Sequence, residues 1–313
     1  MSQTTPHQTA ATTSSSRTLD TQALLTLRDW LRYTVSQFEA SDIFFGHGTD
    51  NSYDEAVWLI MSALHLPHDT LDNFLDARLT DAERVQLAQL IDQRVTHHTP
   101  TAYLVKEAWL QGFKFYVDER VIVPRSFIAE LLQDGLQPWI EFPELIHTAA
   151  DICTGSGCLG VLLANSFPDA EIDVIDISPD AIAVANINIA NYGLQTQVHA
   201  IESDMFSALA GKTYDLIISN PPYVDAPSMA TLPQEYQNEP QLALGSGVDG
   251  LDHTHTLLRE AAQHLNDEGV LVVEIGHNKE ALMNAYPDLP FTWLDTSSGD
   301  QFVFLLTKED LPK

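Results

Sequence analysis

The sequence predicts an α/β protein in which a small N-terminal helical domain precedes a mainly parallel β-sheet domain. From residue 148 onward, apolar runs alternate with amphipathic helical segments, as is typical of a parallel sheet covered by helices on both faces. Residues 19–98, by contrast, show only helical periodicity. The length of 313 residues is enough for two such domains.

The N-terminal part is expected to hold a disordered tail and three main helices. Residues 1–18 are rich in Ser, Thr, Gln and Ala without periodicity, which predicts disorder. The first helix shows apolar residues at three- and four-residue steps: Leu24, Leu27, Leu31 and Val35. A second helix is expected over 54–66, because Pro67 ends it. The third follows Thr80, which forms a capping-box pattern with Glu83.

Residues 99–147 are expected to connect the two domains through a β-hairpin and a linker helix. Segments 108–113 and 114–117 resemble the two short strands of the hairpin. Pro124 favours an extended backbone after them, because proline cannot lie inside a helix. A helix over 127–139 would then lead into the sheet domain. The neighbouring Arg125 is equally well explained as a substrate contact or as a surface ion pair.

The sheet domain, residues 148–313, is predicted to contain seven strands. The expected strands are 149–153, 171–177, 198–203, 214–219, 269–275, 291–295 and 301–307. The expected helices are 157–166, 179–191, 251–265 and 278–285. A turn signal at 297–300 separates the last two strands, so we expect them to form an antiparallel hairpin.

Composition narrows the classes of partner and location. The chain has 44 acidic and 15 basic residues, a net charge of −29, which disfavours nucleic acids and anionic membranes but permits a basic partner. There is no membrane-length apolar run and no apolar signal-peptide centre. Two cysteines, Cys153 and Cys158, make no disulfide framework, so a cytoplasmic location is expected. The histidines are scattered and these cysteines lack partners, so no metal site is predicted.

A glycine-rich loop after the first strand of the sheet predicts a nucleoside-containing cofactor. Gly155, Gly157 and Gly160 match the pattern G-x-G-x-x-G, in which glycine lets the backbone approach a ligand. Asp176, at the end of the next strand, suits the hydroxyls of a ribose. A tight turn with packing glycines is the alternative. Asp151 would oppose a pyrophosphate but suits a cationic ligand, which favours S-adenosylmethionine over NAD.

Two further strand ends carry candidate binding residues. Asp204, after the third strand, suits the exocyclic amine of adenine; a helix N-cap is its alternative role. The fourth strand runs into Asn220-Pro221-Pro222-Tyr223, where two prolines make a rigid corner. An Asn amide, a proline carbonyl and an aromatic ring together suit a planar NH₂ group, although Asn-Pro also opens ordinary turns.

With these motifs the chain resembles the class I S-adenosylmethionine-dependent methyltransferases that carry NPPY. Within them it resembles the protein N(5)-glutamine methyltransferases, most closely the branch that modifies the third ribosomal protein of the large subunit. The resemblance covers roughly residues 20–310. It is carried by FFGHGTDN (Phe44–Asn51), YVDERVIVPRS (Tyr116–Ser126), DICTGSGCL (Asp151–Leu159) and SNPPYVD (Ser219–Asp225). It implies a Rossmann-like, seven-stranded, mainly parallel sheet with an antiparallel last strand, joined by a β-hairpin to the helical domain.

The resemblance also implies roles for individual residues. The predicted cofactor-binding residues are Asp151, Cys153, Thr154, Gly155, Ser156, Gly157, Asp176, Asp204, Met205 and Asn220. In this assignment Cys153 to Gly157 wrap the methionine moiety, Asp176 holds the ribose, and Asp204 and Met205 border the adenine. The predicted substrate-binding residues are Asn220, Pro221, Pro222 and Tyr223, with Asn220, Pro221 and Tyr223 as the catalytic residues. The product from the cofactor is S-adenosylhomocysteine.

The implied partner is a basic ribosomal protein, either free or during assembly, with no direct nucleic-acid binding and no membrane contact. Three other functions stay open. A release-factor glutamine methyltransferase belongs to the sister branch of the family. A nucleic-acid adenine methyltransferase shares the Asn/Asp-Pro-Pro-aromatic motif but needs a basic face and a flipped base. A non-enzymatic, cofactor-sensing protein would not need an intact NPPY.

Overall fold

The computed structural model describes residues 21–312, so the predicted tail at residues 1–18 lies outside the described residues. The N-terminal part of the described chain is helical, as predicted. Its α-helices are α1 (Leu27–Glu39), α2 (Ser52–Ala63), α3 (Leu71–Phe74), α4 (Asp81–His97) and α5 (Thr101–Val105). The apolar faces of α1, α2 and α4 meet in one core, which includes Leu27, Trp30, Leu59 and Leu87.

The ends of these helices follow from local sequence. Thr80 and Glu83 form the predicted capping box at the start of α4, and Thr26 forms another with Asp29 before α1. The second helix is shifted relative to the predicted range 54–66. It begins at Ser52, because Asn51 caps it, and it ends at Ala63, before His65 adopts a left-handed backbone with φ 55°.

The connecting region contains the predicted hairpin and a shorter helix than predicted. Strands β1 (Ala108–Leu110) and β2 (Phe113–Phe115) pair in antiparallel orientation. Helix α6 spans Ile128–Gln133, so the prediction of a helix over 127–139 was wrong in its second half. Gly135 and Leu136 there have φ values of 62° and 58°, and this left-handed pair ends the helix.

The sheet domain confirms the predicted alternation of strands and helices. Its strands are β3 (Thr148–Ile152), β4 (Glu171–Asp176), β5 (Val198–Glu202), β6 (Tyr214–Ser219), β7 (Leu265–Glu274), β8 (Thr292–Thr296) and β9 (Gly299–Thr307). They form one seven-stranded sheet in the order β5-β4-β3-β6-β7-β9-β8, in which β9 alone runs antiparallel to its neighbours. The helices are α7 (Cys158–Ser166), α8 (Pro179–Asn191), α9 (Ala226–Met229), α10 (Asp252–His264) and α11 (Lys279–Ala285).

The sheet is buried on both faces, which explains why its strands are apolar throughout. On β6, Leu216 and Ile218 face the core shared with α7 and α8, whereas Ile217 faces the core shared with α10 and α11. The chain passes outward from β3 to β5 and then returns to β6, so the strand order reverses between β3 and β6. Ligands of such sheets bind in the crevice at the carboxyl ends of the strands flanking this reversal.

A buried ionic network joins the helical region to the chain that follows β6. Arg94 of α4 donates to Glu235 at 2.8 Å and to Glu55 of α2 at 2.5 Å. The backbone N–H of Phe44 also donates to Glu235, at 2.8 Å. Within residues 21–312, no helix is long and apolar enough to cross a membrane, and no cluster of three or more His, Cys, Asp or Glu side chains is arranged to bind a metal.

Candidate active site

A cleft lies at the carboxyl edge of the sheet, where β3 and β6 end. Most of the predicted cofactor-binding residues meet on its wall: Cys153, Thr154, Gly155, Ser156, Asp176, Asp204, Met205 and Asn220. Asp151 and Gly157 are the two that do not line it. The cleft thus coincides with the crevice expected from the strand order.

The three glycines of the loop have different tasks. Gly155 has φ 55°, and no protein atom lies within 4 Å of the position that a Cβ would take. Gly157 and Gly160 are instead packing positions. A Cβ on Gly157 would lie 3.0 Å from Ala185 Cβ, and one on Gly160 would lie 2.2 Å from Val174 Cγ1. The loop therefore leaves open space for a ligand above Gly155, while the other two glycines seat α7 against its neighbours.

Asp151 lies beneath this loop and does not face the cleft. Its side chain is fully buried, and Thr154 Oγ1 donates a hydrogen bond to it. Burial raises the pKa of Asp151 to about 7, and the charge of Asp176 acts in the same direction, against the hydrogen bond from Thr154. Asp151 therefore shapes the loop from below and holds only part of a negative charge near neutral pH.

The two other predicted carboxylates line the cleft directly. Asp176 accepts the backbone N–H groups of Gly155 and Ser178, both at 2.9 Å, and burial raises its pKa. Asp204 is exposed. The hydroxyl of Ser203, rather than Asp204, accepts the Ala208 N–H of the following turn at 2.9 Å. The carboxylate of Asp204 is therefore free of the capping role considered as its alternative.

Cys153 and Met205 form an unusual contact on the cleft wall. Both have left-handed backbones, with φ 62° and 48°, and their sulfur atoms lie 3.8 Å apart. Burial raises the pKa of the Cys153 thiol well above its usual range, and it raises that of Cys158 to about 12. Both thiols are therefore protonated at neutral pH, which leaves neither as a nucleophile.

The Asn-Pro-Pro-Tyr corner is fixed from several sides. Ser219 donates its hydroxyl hydrogen to Ile152 O at 2.7 Å and so joins the ends of β6 and β3. Asn278 donates to Tyr223 O at 2.7 Å. Asn220 and Pro222 line the cleft, whereas Pro221 and Tyr223 do not. The Oδ1 atom of Asn220 is buried and accepts a hydrogen bond from no described residue.

Comparisons with known proteins show the family to which the chain belongs. A family model described as the methyltransferase small domain matches residues 134–235. A protein of Neisseria gonorrhoeae named ribosomal protein uL3 glutamine methyltransferase is 59% identical over 290 residues, which cover 93% of this chain and 97% of the relative. A relative of the same name from Bordetella pertussis is 51% identical, with coverage of 93% and 97%. The chain belongs to the ribosomal protein uL3 glutamine methyltransferase family.

Among solved structures, a methyltransferase from Pyrococcus furiosus matches this family member with a TM-score of 0.45 and 19% identity. The match covers 64% of this chain and 90% of that one.

The structure of this uL3 glutamine methyltransferase family member also shows an ion pair at Arg125. Its guanidinium makes two hydrogen bonds to the Glu239 carboxylate, at 2.6 and 2.7 Å, and it lines the cleft. Glu239 is wholly shielded from solvent, so this is a buried ion pair rather than a surface one. A direct contact between Arg125 and a substrate stays a prediction.

Several residues of the cleft wall were missed by sequence reasoning, notably Ile177, His253 and Leu242. Ile177 directly follows Asp176 and is the last residue of the predicted strand 171–177, so its position at a strand end was an available signal. Leu242 lies just before the glycine-rich segment 245–250, and His253 lies in the first turn of α10, which follows that segment. Both are far from the glycine loop in the chain, and only the fold brings them to the carboxyl edge.

Proposed function

We propose that the protein transfers a methyl group from S-adenosylmethionine to the side-chain amide nitrogen of a glutamine in ribosomal protein uL3. The observation that carries this proposal is the buried Asn220 Oδ1, which lacks a described partner on a wall shared with the glycine loop. An unsatisfied buried acceptor costs about 1–3 kcal/mol. The N–H groups of an incoming glutamine amide would satisfy it. The relatives from Neisseria gonorrhoeae and Bordetella pertussis are named for the same substrate.

The residues present fit S-adenosylmethionine. The open space above Gly155 admits a ligand close to the backbone. Asp176 remains a ribose acceptor, and the uncommitted Asp204 carboxylate suits the adenine amine. Carboxylates around the cleft favour a ligand that carries a sulfonium and an ammonium group. When bound, the cofactor supplies an electrophilic methyl group and leaves as S-adenosylhomocysteine.

The task of the protein is to orient a poor nucleophile. The lone pair of a carboxamide nitrogen is delocalised into its carbonyl group. We assign the Asn220 side-chain oxygen and the Pro221 backbone oxygen as acceptors of the two N–H bonds of the target. They would fix the nitrogen for attack and favour the positive charge that develops on it. The N-methylated amide cation is acidic and loses a proton to water, so we nominate no general base.

The remaining parts of the chain fit supporting roles. Tyr223 packs beneath the corner, and burial raises its pKa, so it stays a neutral phenol. We propose that residues 19–98 form the domain that docks the substrate, because the network of Glu55, Arg94 and Glu235 connects this region to the chain that follows the corner. The reaction would take place in the cytoplasm, on uL3 that is free or in assembly.

The net charge of −29 supports a basic substrate, since ribosomal proteins are typically strongly basic. Long-range attraction between opposite charges raises the rate of encounter and is screened by salt. Turnover at low substrate concentration is therefore expected to fall as ionic strength rises. A turnover that does not respond to salt would contradict this part of the proposal.

The decisive test is methylation with labelled S-adenosylmethionine. Purified protein is mixed separately with uL3, a release factor and RNA, and the labelled product is mapped by mass spectrometry. We expect label on one glutamine of uL3. Label on a release factor alone would move the chain to the sister branch, and label on RNA alone would indicate an adenine methyltransferase. Binding of the cofactor without transfer to any of the three would indicate a sensing protein.

A further inference from the structure

His253 stands on the cleft wall in the first turn of α10, and the function proposed above does not use it. The side chain is half-buried. Its Nδ1 atom lies 2.8 Å from Ser246 Oγ. No described residue forms a hydrogen bond with Nε2, so one polar atom of this cleft-lining ring remains available.

The hydrogen bonds of Ser246 define which ring nitrogen carries the proton. Ser246 is buried, and its Oγ accepts the backbone N–H of His253 at 3.3 Å. We assign Ser246 as the donor to His253 Nδ1, because this nitrogen is the remaining partner of its hydroxyl within the described chain. An imidazole that accepts at Nδ1 in its neutral form carries its hydrogen at Nε2. Nε2 is thus a donor.

The ring is held in this state by its surroundings. The Ser246 N–H donates to Val224 O at 2.8 Å, directly after the Asn-Pro-Pro-Tyr corner, so the serine has a fixed position. Burial lowers the pKa of His253, against the opposing charges of Asp252 and Asp204. These observations describe a neutral, oriented imidazole in a cleft next to carboxylates.

The placement of Asp204 completes the pattern. This carboxylate lines the same cleft, and its charge acts on His253, yet the two side chains form no ion pair in the described chain. The cleft is therefore lined by both an acceptor and a donor. Adenine offers the complementary set, an amine that donates and ring nitrogens that accept. Hypoxanthine replaces the amine with a carbonyl oxygen, which the Asp204 carboxylate opposes.

We propose that His253 determines the base specificity of the cofactor site, by donating its Nε2 hydrogen to a ring nitrogen of adenine while Asp204 accepts from the exocyclic amine. The inference rests on the cofactor assigned in the proposed function. It also assigns a role to the glycine-rich segment 245–250, since that segment contains Ser246, which orients the imidazole.

Calorimetric binding of S-adenosylhomocysteine to the full-length protein tests this directly. His253→Ala is expected to weaken binding about tenfold, the upper range for one neutral hydrogen bond. His253→Gln, which keeps an N–H at similar reach, should restore affinity to within about threefold of wild type. His255→Ala is the matched control, because His255 on the same helix bonds to Tyr286 at 2.8 Å and does not line the cleft. Thermal unfolding without ligand checks that each variant is folded.

Analogues of S-adenosylhomocysteine provide a second arm. When one ring nitrogen at a time is replaced by CH, the wild type should lose affinity for one analogue, and His253→Ala should no longer distinguish that analogue from the parent. S-inosylhomocysteine should bind the wild type more weakly than the parent compound. Equal binding by wild type and His253→Ala, or equal losses for all analogues, overturns the role of His253 alone. A wild type that binds none of these compounds overturns the cofactor assignment as well.

Discussion

The guanidinium of Arg125 holds the carboxylate of Glu239 through two hydrogen bonds, 2.6 and 2.7 Å long. Burial alone would raise the pKa of Glu239, but the charge and hydrogen bonds of Arg125, with His47 Nε2 3.5 Å away, lower it to about 2. The same carboxylate accepts the Val123 N–H at 2.9 Å. The pair therefore fixes the segment after the Asn-Pro-Pro-Tyr corner to the segment after the hairpin.

Arg125→Ala should strongly destabilise the protein, because it leaves a buried carboxylate without its cation. Breaking such a pair costs about 3–5 kcal/mol in the free energy of unfolding, measured by urea titration at neutral pH. Arg125→Lys should lower the free energy of unfolding by less, since an ammonium keeps the positive charge but cannot make the bidentate contact with the carboxylate. Arg28→Ala is the control, because Arg28 pairs with Asp76 on the surface. If Arg125→Ala and Arg28→Ala unfolded at the same urea concentration, a structural role for the buried pair would be contradicted.

Gly276→Ala should lower both stability and turnover, because the added Cβ would lie 2.6 Å from the Tyr223 ring. Gly276 also has φ 54°, which by itself costs an alanine about 1 kcal/mol. Gly193→Ala separates the two effects, since Gly193 has φ 68° and open space where the Cβ would be. If the added Cβ displaces Tyr223, Gly276→Ala should lower turnover at least about tenfold. This corresponds to a rise of about 1.4 kcal/mol in the activation barrier. Similar turnover in the two variants would show that Tyr223 does not support the corner.

Local signals explain how much of the fold the sequence predicted. Strands, helices and the capping box at Thr80 each arise from residues close together in the chain, and all of them are present. The linker helix was predicted too far, through Pro138, whereas the left-handed turn at Gly135 and Leu136 ends it earlier. A single glycine is a weak stop signal, since helices tolerate it at a modest cost.

Sequence analysis found the candidate site residues that belong to one local motif. It missed those that come from segments far apart in the chain. Gly155 and Asn220 follow strands directly, so parallel strand order alone brings them to one edge. The pairing of Arg125 with Glu239 spans 114 positions, and no local pattern encodes it. Asp204 was ambiguous between capping and binding. The neighbouring Ser203 hydroxyl accepts the Ala208 N–H in place of Asp204, and the binding role of Asp204 stays a prediction.

Glu274→Gln should reduce the pH dependence of stability between about pH 4 and 7, because burial raises the pKa of Glu274 to about 7. An unfolded Glu titrates near pH ~4.3, so folding takes up a proton between these values. Wild-type stability is then greatest below the unfolded pKa and is lost as pH rises towards 7. Gln keeps an acceptor for Ser126 and Phe127, which donate to Glu274 at 2.7 and 2.8 Å.

Urea unfolding of wild type and Glu274→Gln at several pH values measures this difference. The advantage of the variant should grow by at most about 1.4 kcal/mol per pH unit and level off above pH ~7, the slope for one proton. Asp215→Asn is a control at a carboxyl whose pKa is shifted in the opposite direction. Hydrogen bonds from Asn266 and backbone N–H groups outweigh burial and lower the pKa of Asp215. Its effect should be constant above about pH 5, where Asp215 is ionised in both the folded and the unfolded state. A constant difference for Glu274→Gln would show that its carboxyl is ionised in the folded protein throughout.

Asn220→Ala should lose turnover without losing stability. Removal of a preorganised polar partner of the reacting group typically lowers turnover about 10²-fold or more. The same substitution removes a buried oxygen that no described residue satisfies, so the free energy of unfolding should stay equal or rise. Asn191→Ala, at an exposed position at the end of α8, should change neither quantity.

The combination of the two measurements is what distinguishes a substrate acceptor from a structural asparagine. An asparagine that held the corner together would lose stability and activity in proportion. An asparagine that binds the N–H groups of a substrate glutamine has a desolvated, unsatisfied oxygen in the unliganded protein. Its removal therefore stabilises the fold but prevents the reaction. Labelled methyl transfer to uL3 and urea unfolding of the same preparations give both values. Near-normal turnover in Asn220→Ala would remove Asn220 from the catalytic assignment.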